Sequence, residues 1–133
     1  MDEFKLEVPN HISNLNIVIS FLTSILSQIP SLSEKYLHEM EVVTSEACTN
    51  AFKHSNQNTK DLIRIILKKF ENELELIVIN SGYNNQIETL SNPQINFIPN
   101  GNGNGGFIMK SLTDELIAEN REGEFQITLK KKY

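Results

Sequence analysis

One cysteine, no long apolar run, no basic excess and no phosphate-loop signature: these absences narrow the 133-residue chain before any motif does. A lone thiol, Cys48, cannot close an intrachain disulfide, so a reducing compartment suits the chain and a cytoplasmic location is expected. Its place beside Ala47 and Ala51 gives it the role of a small buried apolar group. Crossing a bilayer takes roughly 18 or more consecutive apolar residues. The hydrophobic runs here are short and interrupted, and no membrane association is expected. Met1-Asp2-Glu3-Phe4 also lacks the positive start and apolar core of a signal peptide. Lys and Arg number 12 against 17 Asp and Glu, a formal net charge of −5. This speaks against general nucleic-acid binding, because neutralising phosphates requires a basic surface. The one basic cluster, Lys130-Lys131-Lys132, reads as a solvated chain end. A Gly-x-x-x-x-Gly-Lys-Ser/Thr loop is absent as well, so any nucleotide must be held in another way.

What is present suits one soluble domain spanning residues 1–133, with 39% hydrophobic and 22% charged residues. Phe4, Leu6 and Val8 alternate as in a strand with one covered face. From Ile12 to Leu26, apolar residues recur every three or four positions, the period of an amphipathic helix that ends before Pro30. Ser31 and Glu34 have the spacing of a capping box and predict the start of a long second helix. Its buried stripe is Leu37, Met40, Val43, Ala47 and Ala51. Residues 62–67 and 74–79 read as a hairpin, and the second strand is apolar on both faces, as an interior strand would be. A helix is expected from Gly106 to Leu116, with Phe107, Ile108, Leu112 and Leu116 on one side and Met109 flanking. A short strand near 117–119, a turn at Arg121-Glu122-Gly123 and a last strand through Phe125, Ile127 and Leu129 complete the chain. Strand–helix–strand units are too few for a doubly wound sheet. The expected class is α+β, a two-layer sandwich with a mixed, mostly antiparallel sheet and helices on one face.

Two stretches carry the chemistry. Glu46 and Asn50, at i and i+4 on the long helix, leave the same face. Such a pair can hold a hydroxyl or water at one end and hydrated Mg²⁺ at the other, since Mg²⁺ prefers oxygen ligands. Alone, the spacing usually marks a solvated face. About fifty residues on, Gly101-Asn102-Gly103-Asn104-Gly105-Gly106-Phe107 opens the next helix. Its backbone N–H groups can cradle phosphates at the helix N-terminus. The turn-rich, strand-poor segment between Asn84 and Gly105 has the character of a binding loop or lid, the alternative on composition alone being a disordered insertion.

The run from Ser45 to His54, Ser-Glu-Ala-Cys-Thr-Asn-Ala-Phe-Lys-His, resembles the N-box of the Bergerat-fold (GHKL) ATPase and kinase superfamily. That superfamily includes DNA gyrase and histidine kinases. Gly103 to Leu116 resembles its G2 box and following helix. The wording of both is most similar to the small bacterial anti-sigma factors that are serine/threonine protein kinases. The resemblance implies an ATP-binding domain in which Glu46 is the catalytic carboxylate and Asn50 the Mg²⁺ ligand. Gly103, Gly105, Gly106 and Phe107 would surround the phosphates, and Tyr83 to Asn102 would form the ATP lid. It also implies a homodimer whose protein substrate is a small anti-anti-sigma partner and whose target is a sigma factor or similar regulator.

Asn80-Ser81-Gly82-Tyr83-Asn84 stands where the family's Asp-x-Gly-x-Gly G1 box is expected, so Asn80 replaces the adenine-binding aspartate while Gly82 is retained. An asparagine carbonyl still accepts from the adenine amine, but without charge assistance, a loss of about 1–2 kcal/mol. Glu124 stands where relatives carry threonine. The alternative is a protein-binding module of the same fold that has lost catalysis.

Overall fold

The computed structural model describes residues 1–54, 61–81 and 104–133, apart from the side chains of Lys53, His54 and Asn104. The chain runs β1 (Asp2–Pro9), a 3-10 turn (Ile12–Asn14), α1 (Leu15–Leu26), α2 (Glu34–His54), β2 (Leu62–Lys69), β3 (Glu73–Ser81), α3 (Asn104–Leu112), β4 (Glu115–Arg121) and β5 (Glu124–Lys132). The five strands form one sheet in the order β1-β2-β3-β5-β4, and each of its four pairings is antiparallel. The α+β two-layer expectation holds, with β3 at the centre as its two-faced apolar pattern required.

Strand alternation assigns the faces. Leu74, Leu76, Val78 and Asn80 of β3 share the inner face with Ile63, Ile65 and Leu67 of β2 and Phe125, Ile127 and Leu129 of β5. These meet Val18, Leu22, Ile25 and Leu26 of α1 and Met40, Val43, Ala47 and Ala51 of α2 in one core. On the outer face, register places Glu3, Lys68, Glu75, Lys130 and Glu115 in one row across all five strands. Successive nitrogen–oxygen distances along it are 3.9, 3.7, 3.6 and 3.1 Å. The last contact, a hydrogen bond from Lys130 to Glu115, raises the Lys130 pKa. Exposed pairs of this kind add little stability each. Their alternation disfavours a slip in register, because a one-residue shift moves every charge to the opposite face.

Three expectations are corrected. The residue capping α2 is Ser33, whose Oγ accepts from the Tyr36 N–H at 3.1 Å, rather than Ser31. Ser33 immediately precedes the helix, so its hydroxyl reaches the third helical N–H. Next, α3 ends at Leu112, and β4 takes Leu116 into the sheet core. Finally, Lys130–Lys132 is strand rather than a loose end: Tyr133 N–H donates to Asn72 O at 2.9 Å and closes the terminus onto the β2–β3 hairpin.

Glu122 and Gly123 join β4 to β5 with φ of 51° and 80°. Two consecutive positive φ values define the primed turn that fits strand twist, and Asn-Gly suits it best. A Cβ on Gly123 would meet nothing within 4 Å, so only backbone strain opposes it. Gly123→Ala is expected to cost about 1 kcal/mol and Glu122→Asn to add a few tenths. Urea unfolding midpoints at unchanged slope would register both shifts.

Candidate functional site

The walls of the site follow from how α2 must pack. Ala47, Cys48 and Ala51 are fully buried small residues on its sheet-facing side, which brings its second half close to the strands. Glu46 is half-buried at the edge of this surface. Asn50 lies deeper than expected, 4% exposed, and its Nδ2 has no hydrogen-bond partner among the described residues. A buried amide nitrogen without a partner is costly unless something else meets it. A half-turn about the terminal torsion presents the amide oxygen instead, so the same side chain can serve a cation.

At the C-terminal end of β3, Asn80 points to the inner face and is 1% exposed. Its Nδ2 donates to the Ser81 carbonyl at 2.9 Å, which orients the amide, while Oδ1 is buried and lacks a partner among the described residues. Ser81 Oγ in turn donates to Asp61 Oδ2 at 2.9 Å. Neither Asp61 nor Ser81 was singled out from sequence. The available signal was the hairpin itself, which brings the residue before β2 opposite the end of β3. Glu124, the other departure, faces outward and pairs with Arg64. A third buried polar atom without a partner among the described residues, Thr44 Oγ1, lies less than two turns upstream of Asn50 inside the core.

The start of α3 supplies the third wall. Gly105 and Gly106 are buried in its first turn and Met109 is completely buried, whereas Phe107 is 74% exposed. This reverses the expected helix phase, which placed Phe107 inward and Met109 to the side. Glycines allow close approach, and α3, whose buried described residues are Gly105, Gly106 and Met109, packs on α2.

Chain direction puts these walls at one end of the molecule. Glu39 of α2, the last residue of α3 and the start of β3 lie together around Lys131, which contacts Glu39 and the Leu112 carbonyl and pairs with Leu74. From that cluster α2 runs about 16 Å on to Asn50, α3 runs back about 10 Å to Gly105, and β3 runs about 20 Å on to Asn80. Asn50, the buried glycines and Asn80 thus each lie away from the Lys131 cluster, Asn80 beside the start of β5, where it pairs with Phe125. A surface depression of about 420 Å³ lined by Met1, Lys69, Phe70 and Tyr133 lies at the other end and includes none of the predicted site residues. Gly82, Gly103 and the lid segment Tyr83 to Asn102 lie outside the described residues.

A one-sided antiparallel sandwich with a long amide-bearing helix over its central strand and a glycine-led helix beside it is the two-layer architecture of a Bergerat-type ATP-binding fold. Residues 8–131 match the model of the histidine kinase-like ATPase domain, and the chain belongs to that family. It is 25% identical over 130 residues to the serine-protein kinase RsbW of Bacillus subtilis (strain 168), covering 92% of this chain and 81% of the relative. Its identity to the serine-protein kinase RsbW of Bacillus mycoides (strain KBAB4) is 27% over 95 residues, 65% of this chain, and it spans only 59% of that relative's length. Among solved structures, the RsbU and RsbW domains of a Mycobacterium tuberculosis protein superpose with a TM-score of 0.73 at 16% identity, covering 99% of this chain and 32% of that one. The catalytic domain of histidine kinase ThkA gives 0.59 at 16% identity over 99% and 96%. Among the described residues, no helix is long and apolar enough to cross a membrane.

Burial pushes the Cys48 thiol from 9.0 up to about 12. Because the folded pKa is the higher one, this contribution to stability is complete below pH 9 and is lost as pH rises toward 12. Stability is therefore expected to fall over that window, and less steeply in Cys48→Ala, in urea titrations at stepped pH. Asn50→Leu, of similar volume and without the unpaired nitrogen, is expected to raise stability without ligand by about 1 kcal/mol.

Proposed function

We propose that the chain binds Mg-ATP and acts as a serine/threonine protein kinase of the anti-sigma-factor type. The observation that carries this reading is the pair of buried polar atoms without a partner among the described residues, Asn50 Nδ2 and Asn80 Oδ1, on the two elements that the family uses for phosphate-side and base-side contacts. A nucleotide offers what these atoms lack. The exocyclic amine of adenine can donate to Asn80 Oδ1, and the phosphates with their metal can engage the amide of Asn50. Bound Mg-ATP would supply the transferable phosphoryl group. The residues of this chain position and neutralise, which is most of what phosphoryl transfer requires.

In this reading Asn50 would hold the metal, and Gly103, Gly105, Gly106 and Phe107, at and before the start of α3, would receive the phosphates. Glu46 accepts the hydrogen bond of the incoming serine hydroxyl and directs its oxygen toward phosphorus. The resemblance assigns Gly82, two residues after Asn80 in sequence, to the base side of the same site. The acceptor is a serine on a small anti-anti-sigma-like protein, and the same domain, as a cytoplasmic homodimer, sequesters a sigma factor or similar regulator. The similarity to serine-protein kinases named RsbW over most of the chain supports this partner class.

A second reading, a binding module without catalysis, is favoured by one feature: Asn80 replaces the charged acceptor with a neutral one. Calorimetry of the full chain with ATP and ADP, with and without Mg²⁺, separates the two. Kinase function predicts metal-dependent ATP binding that Asn50→Ala weakens at least tenfold, and phosphate transfer that Glu46→Gln lowers by about a hundredfold or more. Asn80→Asp, restoring charge assistance, is expected to tighten ATP about tenfold. No Mg-ATP binding at millimolar nucleotide, with partner binding intact in Glu46→Ala, would establish the non-catalytic module instead.

A further inference from the structure

The basic end of the chain holds a lysine that the proposed chemistry does not use. Lys131 lies on the inner face of β5, and its side chain is only 14% exposed. Its Nζ donates to the carbonyl of Leu112, the last residue of α3, at 2.6 Å. The same nitrogen lies 3.1 Å from Glu39 Oε1 of α2, a carboxylate 19% exposed, and 5.4 Å from the centre of the Tyr36 ring. Tyr36 OH donates back to the Lys131 carbonyl at 2.7 Å, and the Tyr36 ring meets Tyr133 edge-on at 5.7 Å. Thr113 Oγ1 closes the same helix end on Met109 O at 2.7 Å.

A lysine at a helix C-terminus satisfies carbonyls that lack intrahelical partners and complements the negative end of the helix dipole. Here the same ammonium also neutralises a carboxylate on the neighbouring helix, so one charge ties α2 and α3 to one strand. Lys130 and Lys132 do neither: Lys130 joins the outer-face row, and Lys132 offers its backbone N–H to Asp114. We propose that Lys131 is a positioning residue which, through Glu39 and the Leu112 carbonyl, sets the register of α3 against α2. It thereby aligns the phosphate-binding start of α3 with the metal-binding Asn50 at the far end of both helices. This rests on reading those helices as two walls of a nucleotide site. A metal ion that must touch both Asn50 and the phosphates senses their relative placement, whereas the base, held by Asn80 on the sheet, does not. Ångström-scale misplacement from a remote change can cost up to a hundredfold in function.

The test compares Lys131→Met, Lys131→Arg and Glu39→Gln in the full chain. Lys131→Met is expected to lose tenfold or more of the affinity that Mg²⁺ adds to ATP binding, with metal-free nucleotide affinity within twofold of the native chain. Lys131→Arg keeps the charge and donors and is expected to retain that gain, and Glu39→Gln to fall between. A simple loss of stability would lower the melting temperature without altering the metal-dependent gain in the folded protein. Paired spin labels at the exposed positions Lys35 and Lys110 give a readout independent of nucleotide, since Cys48 is buried and stays unlabelled. Their distance distribution should broaden in Lys131→Met and remain narrow in Lys131→Arg. An unchanged distribution, or a full metal-dependent gain in Lys131→Met, overturns the proposal. Should the native chain bind no nucleotide, the kinase reading fails by itself and the distance measurement alone decides the clamp.

Discussion

The second half of α2 has to serve as core and as site wall at once. Ala47, Cys48 and Ala51 lie against the sheet with essentially no exposed surface, and only small side chains allow that approach. Once they are seated, helical geometry leaves little freedom for the others. Glu46 falls at the edge of the buried surface, and Asn50, one turn on, is carried beneath it. An enlarged residue at 47 or 51 would lift the helix and move both functional groups, so packing at these positions controls the site as directly as the polar residues do.

That constraint explains what could be read from the chain and what could not. Strands β2, β3 and β5 were legible because alternation is a local property, and β3 revealed its central place by being apolar on both faces. Glu46 and Asn50 were legible as a pair through one short motif whose spacing fixes their common face. Their depth was not, because burial of Asn50 depends on how closely Ala47 and Ala51 let the sheet approach, a tertiary quantity. Helix α3 was misread for the same reason. Phe107 and Ile108 dominate any count of apolar residues, yet Gly105, Gly106 and Met109 are the buried ones, since two glycines admit a neighbouring element more closely than an aromatic ring does. Lys131 was hidden by its setting. In a run of three lysines every member looks solvated, and only strand alternation with the end of α3 nearby turns the middle one inward.

The two buried amides carry an energetic consequence. Each holds a polar atom out of water with no described partner, and such a group costs about 1–3 kcal/mol. Hydrophobic residues of similar size would remove that cost. Retaining amides makes sense where a ligand completes the bonds, because the stabilisation then appears on binding rather than on folding. The two sites differ in preparation. Asn80 is oriented through its own NH₂ by the Ser81 carbonyl, which fixes the direction of an oxygen that has no partner among the described residues. If Asn80 meets a base as proposed, such preorganisation would partly offset the missing negative charge, since no rotamer has to be selected on binding.

The separation of tasks between the two ends of the sandwich follows from the same geometry. At one end, Lys131, Glu39, Tyr36, Tyr133 and the Leu112 carbonyl satisfy one another and tie both helices to the last strand. At the other, Asn50 and Asn80 each retain a polar atom without a partner among the described residues. A helix held firmly at one terminus and packed along its length transmits small rotations to the other as displacements that grow with distance from the pivot. Over the roughly 10 Å of α3, a rotation of a few degrees moves the first turn by about half an ångström, comparable to the tolerance of a productive phosphate and metal geometry. In the proposed reading, precision at the nucleotide end would therefore be supplied by interactions at the opposite one.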